Sequence, residues 1–131
     1  MEYEKESIHT TDAPAPAGAY NQGMAWRELV FTAGQAAIDP ESGDLIEGDV
    51  AAQTRQAVAN IAEVLRAAGA DLADVVKATV HLANLADFAS FDRAYRSVMP
   101  EPLPVRTTVG SKLAEGVLVE IDVIAVAPQR I

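Results

Sequence analysis

Two acidic residues and one arginine near the end of the chain have the types and spacing that could do chemistry. Glu120 and Asp122 interrupt an otherwise apolar, β-branched run at residues 117–126. Charged groups rarely enter a protein interior without a partner, and Arg106, flanked by valine and threonines, is the obvious cation. A guanidinium presents a planar fork that fits a carboxylate of the protein or of a substrate. The residues alone leave both interpretations open and favour the structural Arg–Glu pair.

The two stretches that hold these residues are expected to be neighbouring strands of a hairpin. Side chains alternate along a strand, so Glu120 and Asp122 share one face of the second stretch, while Val117, Val119 and Val123 share the other. If Lys112 faces Val117 across a four-residue loop, Arg106 and Glu120 point to opposite faces. A loop of odd length or a single bulge would bring them together. The sequence leaves this register open.

The composition limits the class of protein. With 131 residues, 50% of them hydrophobic, the chain can bury a core, and we expect a single domain over residues 1–131. A net charge of −9 argues against nucleic-acid binding, which needs a basic patch. The chain has no cysteine, and neither His9 nor His81 has the spacing of a metal site. Without a signal-like or membrane-spanning run, we expect a cytoplasmic protein with no membrane partner.

Periodicity and capping residues predict the elements that must position the candidate site. The expected order is βββαβαββ, with strands at residues 2–9, 20–26, 29–35, 75–82, 102–109 and 117–126 and helices at residues 49–69 and 84–99. Two helices can cover one face of a single mixed sheet, which predicts an α+β fold. The uncovered face, expected to include Thr79, Thr107 and Val119, carries small or apolar residues and predicts self-association.

Two residue patterns refine this scheme. On the strand at 75–82, Val76 and every second residue after it are expected to face the core, and Val75 to face outward. On the second helix, Phe88, Phe91 and Tyr95 recur at helical spacing and are expected to belong to the core.

Several separated stretches resemble the RidA/YjgF family, which is also known by the description endoribonuclease L-PSP. They follow the family order and spacing over nearly the whole chain. The matching stretches are GAYNQ at 18–22, FTAGQ at 31–35, DPESG at 39–43, QTRQ at 53–56, AAG at 67–69, DVVKATV at 74–80, DFA at 87–89, PVRTTV at 104–109 and VEID at 119–122.

The resemblance implies a chorismate-mutase-like fold, assembled as a homotrimer with clefts between the subunits. It also implies a hydrolase acting on C–N bonds, which converts reactive enamines and imines such as 2-aminoacrylate to 2-oxo acids and ammonia without a cofactor or a metal. By position, Arg106 and Glu120 would be the catalytic residues: Arg106 would bind the substrate carboxylate and Glu120 would handle the water. The substrate-binding residues would be Arg106, Tyr20, Thr108 with its backbone, Ala33, Phe91 and Asp92.

Four positions depart from the family pattern. Ala19, Ala33, Asp92 and Thr108 stand where proline, serine, asparagine and often cysteine are usual. The missing serine hydroxyl removes a hydrogen bond worth about 1 kcal/mol, and Asp92 would add a negative charge beside a site for an anion. Two alternatives therefore stay open, a non-catalytic regulatory or interaction protein that binds small carboxylates and a deaminase of a larger amino-dienoic acid. The acidic composition disfavours a ribonuclease.

Overall fold

The strands and helices follow the order βββαβαββ that the periodicity predicts. A computed structural model describes residues 4–130. The strands are β1 Glu6–Ile8, β2 Gly23–Trp26, β3 Leu29–Thr32, β4 Val75–Leu82, β5 Val105–Gly110 and β6 Val119–Val126, and the helices are α1 Val50–Ala67 and α2 Phe88–Val98. Residues 2 and 3 of the first predicted strand lie outside the described residues. No helix in the described part of the chain is long and apolar enough to cross a membrane.

Helix α1 begins at a polar side chain that caps a backbone N–H group, as the sequence predicts, and the predicted cap of α2 lies one turn before that helix. The Asp49 carboxylate accepts from the Ala52 N–H at 3.0 Å, and Gly69 follows the end of α1 with a left-handed φ of 81°. Asn84 accepts from the Ala86 N–H, but the turn it caps is a short 3₁₀ helix, Leu85–Asp87. The α-helix therefore starts one turn later than predicted, at Phe88.

The strands form one mixed sheet in the order β1-β2-β3-β6-β4-β5. β4 and β5 run parallel, and the other neighbours are antiparallel. Alternate residues of β4 and β6 are buried beneath the helices, including Ala78, Val80, Leu82, Ile121 and Val123. This single sheet, with α1 and α2 packed on one face, confirms the predicted α+β fold.

The predicted hairpin between the last two strands is wrong, because β4 lies between them. β5 returns parallel to β4 through α2, and a parallel neighbour requires such a crossover instead of a tight turn. The segment 111–118 then leads to the other edge of β4. Buried Gln53 holds this segment, since its side chain donates to the Gly116 carbonyl at 3.0 Å and accepts from the Leu118 N–H at 2.9 Å.

A bulge changes the predicted faces at the start of β4. Val75 pairs with Ala125 and Lys77 pairs with Ile124, so Val76 is the extra residue. Val75 is therefore buried and Val76 exposed, the reverse of the prediction. Val119, expected on the uncovered face, is also buried on the helix side, where it pairs with Leu82.

Candidate functional site

The register of β4 places the two predicted catalytic residues on opposite faces of the sheet. Arg106 pairs with Ala78, whose side chain points to the helices. Glu120 pairs with His81, three residues along β4 and therefore on the uncovered face. A different loop length or a bulge between β5 and β6 would not make Arg106 and Glu120 neighbours within one chain, because β4 lies between their strands. The candidate site consists of two groups of residues.

The first group surrounds Arg106. Its Nη1 lies 2.8 Å from Oδ1 of Asp92 on α2, and the two side chains are 19% and 31% exposed. The guanidinium also lies over three aromatic rings of α2, at 5.5 Å from the centroid of Phe88, 5.1 Å from Phe91 and 4.8 Å from Tyr95. These four α2 residues share one helix face through their spacing of three, four and seven. The helix therefore fixes the arginine by ring contact and by an ion pair.

The aromatic residues of α2 do not all have the positions that the sequence predicts. Phe91 is 0% exposed, as the core prediction has it, and its ring supports the guanidinium from inside the core; the substrate-binding role that the resemblance implies for it stays a prediction. Phe88, expected in the core, is 41% exposed and forms the accessible wall beside Arg106. Phe88 is the first residue of α2.

Tyr95 completes this group as a neutral phenol. Burial raises the pKa of Tyr95, the nearby Arg106 cation lowers it, and Asp92 raises it. Its hydroxyl is buried and has no hydrogen-bond partner among residues 4–130. Tyr95 therefore acts on Arg106 through its ring face.

The second group surrounds Glu120 on the other face. The backbone of Gln35 exchanges hydrogen bonds of 2.8 and 3.0 Å with Ile121, which brings residues 33–35 beside β6. β3 ends at Thr32 and not at residue 35 as predicted, and Gln35 forms an isolated bridge with Ile121 instead. Gly34 lies so close to Glu120 that a Cβ at this position would meet Oε2 at 2.6 Å. A side chain at this position would therefore displace the carboxylate.

Glu120 opens into a cavity of about 370 Å³, within the usual size range of small-molecule sites. Tyr20 is 49% exposed at its wall, and its hydroxyl accepts from the Ala17 N–H at 3.0 Å. The other lining residues are Pro14, Ala15, Ala17, Gly34, Gln35, Ala36, Ile38, Pro40, Glu41, Ser42 and Gly43. Buried Gln22 holds the wall, since its side-chain amide N–H groups donate to the carbonyls of Thr10, Ala13 and Pro14.

The remaining predicted residues divide between the two groups. Thr108 pairs with Val80 and therefore shares the helix-side face of β5 with Arg106. Ala33 precedes the Glu120 cavity, and its N–H donates to the Gln22 carbonyl at 2.9 Å. Gly34, not Ala33, lines the cavity that the described residues form.

Comparison with known proteins identifies the family. The model of the family described as Endoribonuclease L-PSP matches residues 10–127. A RutC family protein of Pyrococcus abyssi is 43% identical over 122 residues, covering 92% of this chain and 96% of that protein. The chain belongs to the RidA/YjgF family. The resemblance seen in the sequence motifs is thereby confirmed.

Two further RidA-family relatives are similar over nearly their whole length. The 2-iminobutanoate/2-iminopropanoate deaminase of Rattus norvegicus is 39% identical over 123 residues, covering 93% of this chain and 90% of that protein. The crystal structure of RidA from the Antarctic bacterium Psychrobacter sp. superposes with a TM-score of 0.88 at 38% identity, covering 92% of this chain and 98% of that chain.

Sequence reasoning missed two residues of the site in this RidA-family chain. Gly34 was part of a matched stretch, and a glycine inside a predicted strand could have indicated a close approach. Phe88 lies three and four residues before Phe91 and Asp92, so helical spacing could have placed it beside Arg106.

A third acidic residue, Asp122, lies on the uncovered face near Glu120. Burial raises the pKa of Asp122, while His81 and Lys77 lower it. His81 is held by Ser111, at 2.7 Å from Nδ1 to Oγ, and Lys77 donates to Thr107 Oγ1 at 2.6 Å. Because the folded chain holds the Asp122 proton to higher pH than the unfolded chain, the associated stabilisation is complete at low pH. It is lost as the pH rises through the folded pKa.

We therefore expect Asp122→Asn to melt at a higher temperature than wild type at neutral pH, because asparagine lacks the partly desolvated charge. The difference should shrink as the pH falls into the range where Asp122 protonates. Thermal unfolding across this pH range measures both effects. Asp44→Asn, in the exposed turn after Pro40, removes the same charge without the burial and serves as the control. A constant difference at all pH values would contradict the expectation.

Proposed function

We propose that this chain is an imine deaminase, which hydrolyses small 2-imino acids and their enamine tautomers to 2-oxo acids and ammonia. Water adds to the C=N carbon, the C–N bond breaks, and the nitrogen leaves as ammonia. The half-buried Arg106 guanidinium carries the proposal, because it is a fixed fork for the carboxylate that such substrates share. The rat relative, named a 2-iminobutanoate/2-iminopropanoate deaminase, supports the same reaction.

Each group of residues supplies one part of the reaction. Arg106 holds the substrate carboxylate, with Phe88 as an exposed apolar wall and Thr108 on the same strand face. Glu120 orients the attacking water and takes its proton, and it then returns that proton to the departing nitrogen. Tyr20 forms a wall of the cavity into which Glu120 opens.

The opposite orientation of the two groups supports a site shared between copies of the chain. Arg106 of one copy would face the cavity beside Glu120 of another, in the homotrimer that the family resemblance implies. β5 is an edge strand, so its outer backbone groups are open to another chain. The uncovered sheet face also exposes large apolar side chains, among them Trp26 at 43%, Phe31 at 39%, Val105 at 68% and Val109 at 39%.

The family description endoribonuclease L-PSP suggests a second activity, which the charges of this chain oppose. It has 19 acidic residues against 10 basic ones. Binding a polyanion depends on basic residues that neutralise phosphates. The substrate that we propose is a small carboxylate, which one arginine suffices to hold.

Hydrolysis of an imine generated in the assay tests the function, and Gly34→Ala tests the site. An amino-acid oxidase acting on 2-aminobutanoate supplies 2-iminobutanoate, and semicarbazide trapping measures how much imine remains. Wild-type protein should shorten the imine lifetime. Gly34→Ala should lower kcat by about 10- to 100-fold, because the new Cβ displaces a carboxylate whose proton transfer is worth about 10²–10⁴.

Gly18→Ala is the matched control, because its Cβ would meet its nearest atom, in Tyr20, at an ordinary 3.7 Å. The three atoms nearest to a Gly34 Cβ all belong to the flexible Glu120 side chain, so the variant should fold like wild type. Equal imine decay with and without wild-type protein would refute the deaminase. Full activity of Gly34→Ala would remove Glu120 from the mechanism.

A further inference from the structure

An acidic side chain forms an ion pair with the arginine that would bind the substrate. Asp92 Oδ1 lies 2.8 Å from Arg106 Nη1, and Asp92 is the only ion-pair partner of Arg106 among residues 4–130. A guanidinium has five N–H donors in a planar fork, so further donors remain for a second carboxylate. The binding group is therefore an Arg–Asp pair with no net charge, and not a free cation.

The surroundings of the pair strengthen the electrostatic effect of the Asp92 carboxylate. Both side chains are less than one-third exposed, and three aromatic rings lie within 5.5 Å of the guanidinium carbon. Water screens such charges less than it screens surface charges. A substrate carboxylate on Arg106 must then lie beside the Asp92 carboxylate, and it gains less than it would from an unpaired arginine.

A second negative group on the substrate would meet the same repulsion in any orientation. In a 2-imino acid of four or five carbons bound to Arg106, every atom lies within about 10 Å of Asp92, roughly one Debye length. Phe88, the accessible wall, offers no charge to compensate. A neutral or apolar side chain avoids this cost and can pack on the ring.

We propose that Asp92 is a specificity-determining residue, which directs the site to 2-imino acids with uncharged side chains and rejects 2-imino dicarboxylates. This inference rests on the proposed deaminase function for its substrate class. The Asp92 carboxylate would repel the second carboxylate of a dicarboxylate, since discrimination can come from repulsion as well as from attraction.

The test compares one monocarboxylate and one dicarboxylate ligand in wild type and in Asp92→Asn, which keeps the shape and removes the charge. Calorimetry measures the binding of 2-oxobutanoate and 2-oxoglutarate, the stable products. The imine assay measures kcat/KM for 2-iminobutanoate and 2-iminoglutarate. Wild type should prefer the four-carbon monocarboxylate, and Asp92→Asn should reduce this preference by about 10-fold, mainly through better use of the dicarboxylate.

Glu63→Gln is the matched control, because it removes one acidic charge and one ion pair, with Arg66, on the surface of α1. Its preference should equal that of wild type. An unchanged preference in Asp92→Asn, or a wild type that does not discriminate, overturns the inference. A wild type that binds neither oxo acid overturns it too, because Arg106 would then hold no carboxylate. If no imine is hydrolysed but the binding preference shifts as stated, the deaminase fails and the role of Asp92 stands.

Discussion

Replacing Arg106 with methionine is expected to lower kcat/KM for 2-imino acids by about 10²–10³-fold, because it removes at least one charge-assisted hydrogen bond and leaves the substrate charge unpaired. Methionine keeps an apolar chain against the three α2 rings, so the contact surface changes little. The imine assay measures the loss, which should lie mainly in KM if Arg106 acts by holding the carboxylate.

Arg106→Lys is the control that separates charge from shape. Lysine keeps the positive charge beside Asp92 but lacks the planar fork, so its activity should fall between those of wild type and Arg106→Met. The double variant Arg106→Met/Asp92→Asn removes the carboxylate that the single variant leaves without its partner. It should recover thermal stability but not activity. Near-wild-type activity in Arg106→Met would show that substrate binds elsewhere.

The local elements could be predicted from the sequence because local chemistry decides them. α1 begins at a capping aspartate and is followed by a glycine, and its buried residues repeat at helical spacing. Alternation along β6 separates the buried valines from Glu120 and Asp122 in the way the sequence predicts. These features depend on neighbours within a few residues.

The relative position of Arg106 and Glu120 could not be predicted in this way. It depends on which strand lies between theirs, and the chain enters β5 through a crossover and leaves it past β4. The change of face at Val75 and Val76 also depends on strand pairing, because a bulge forms only against a partner strand. The sequence identifies the residues, while the sheet order decides that they face opposite ways.

The separation of the two groups gives the sharpest prediction, the recovery of activity when two inactive variants assemble together. Arg106→Met and Glu120→Gln should each be nearly inactive alone. In the homotrimer that we propose, assembled from equal amounts of both variants, a shared site is intact when the Glu120→Gln chain supplies the arginine and the Arg106→Met chain supplies the glutamate. Random assembly makes about a quarter of the sites intact.

The control is the double variant Arg106→Met/Glu120→Gln, assembled in equal amounts with wild type. A shared site again requires two intact contributions, so about a quarter of wild-type activity is expected. A site within one chain would give no recovery in the first mixture and about half of the activity in the second, because each wild-type chain would then work alone. The two mixtures together therefore distinguish the arrangements, and equal recovery in both is the result that the proposed shared site predicts.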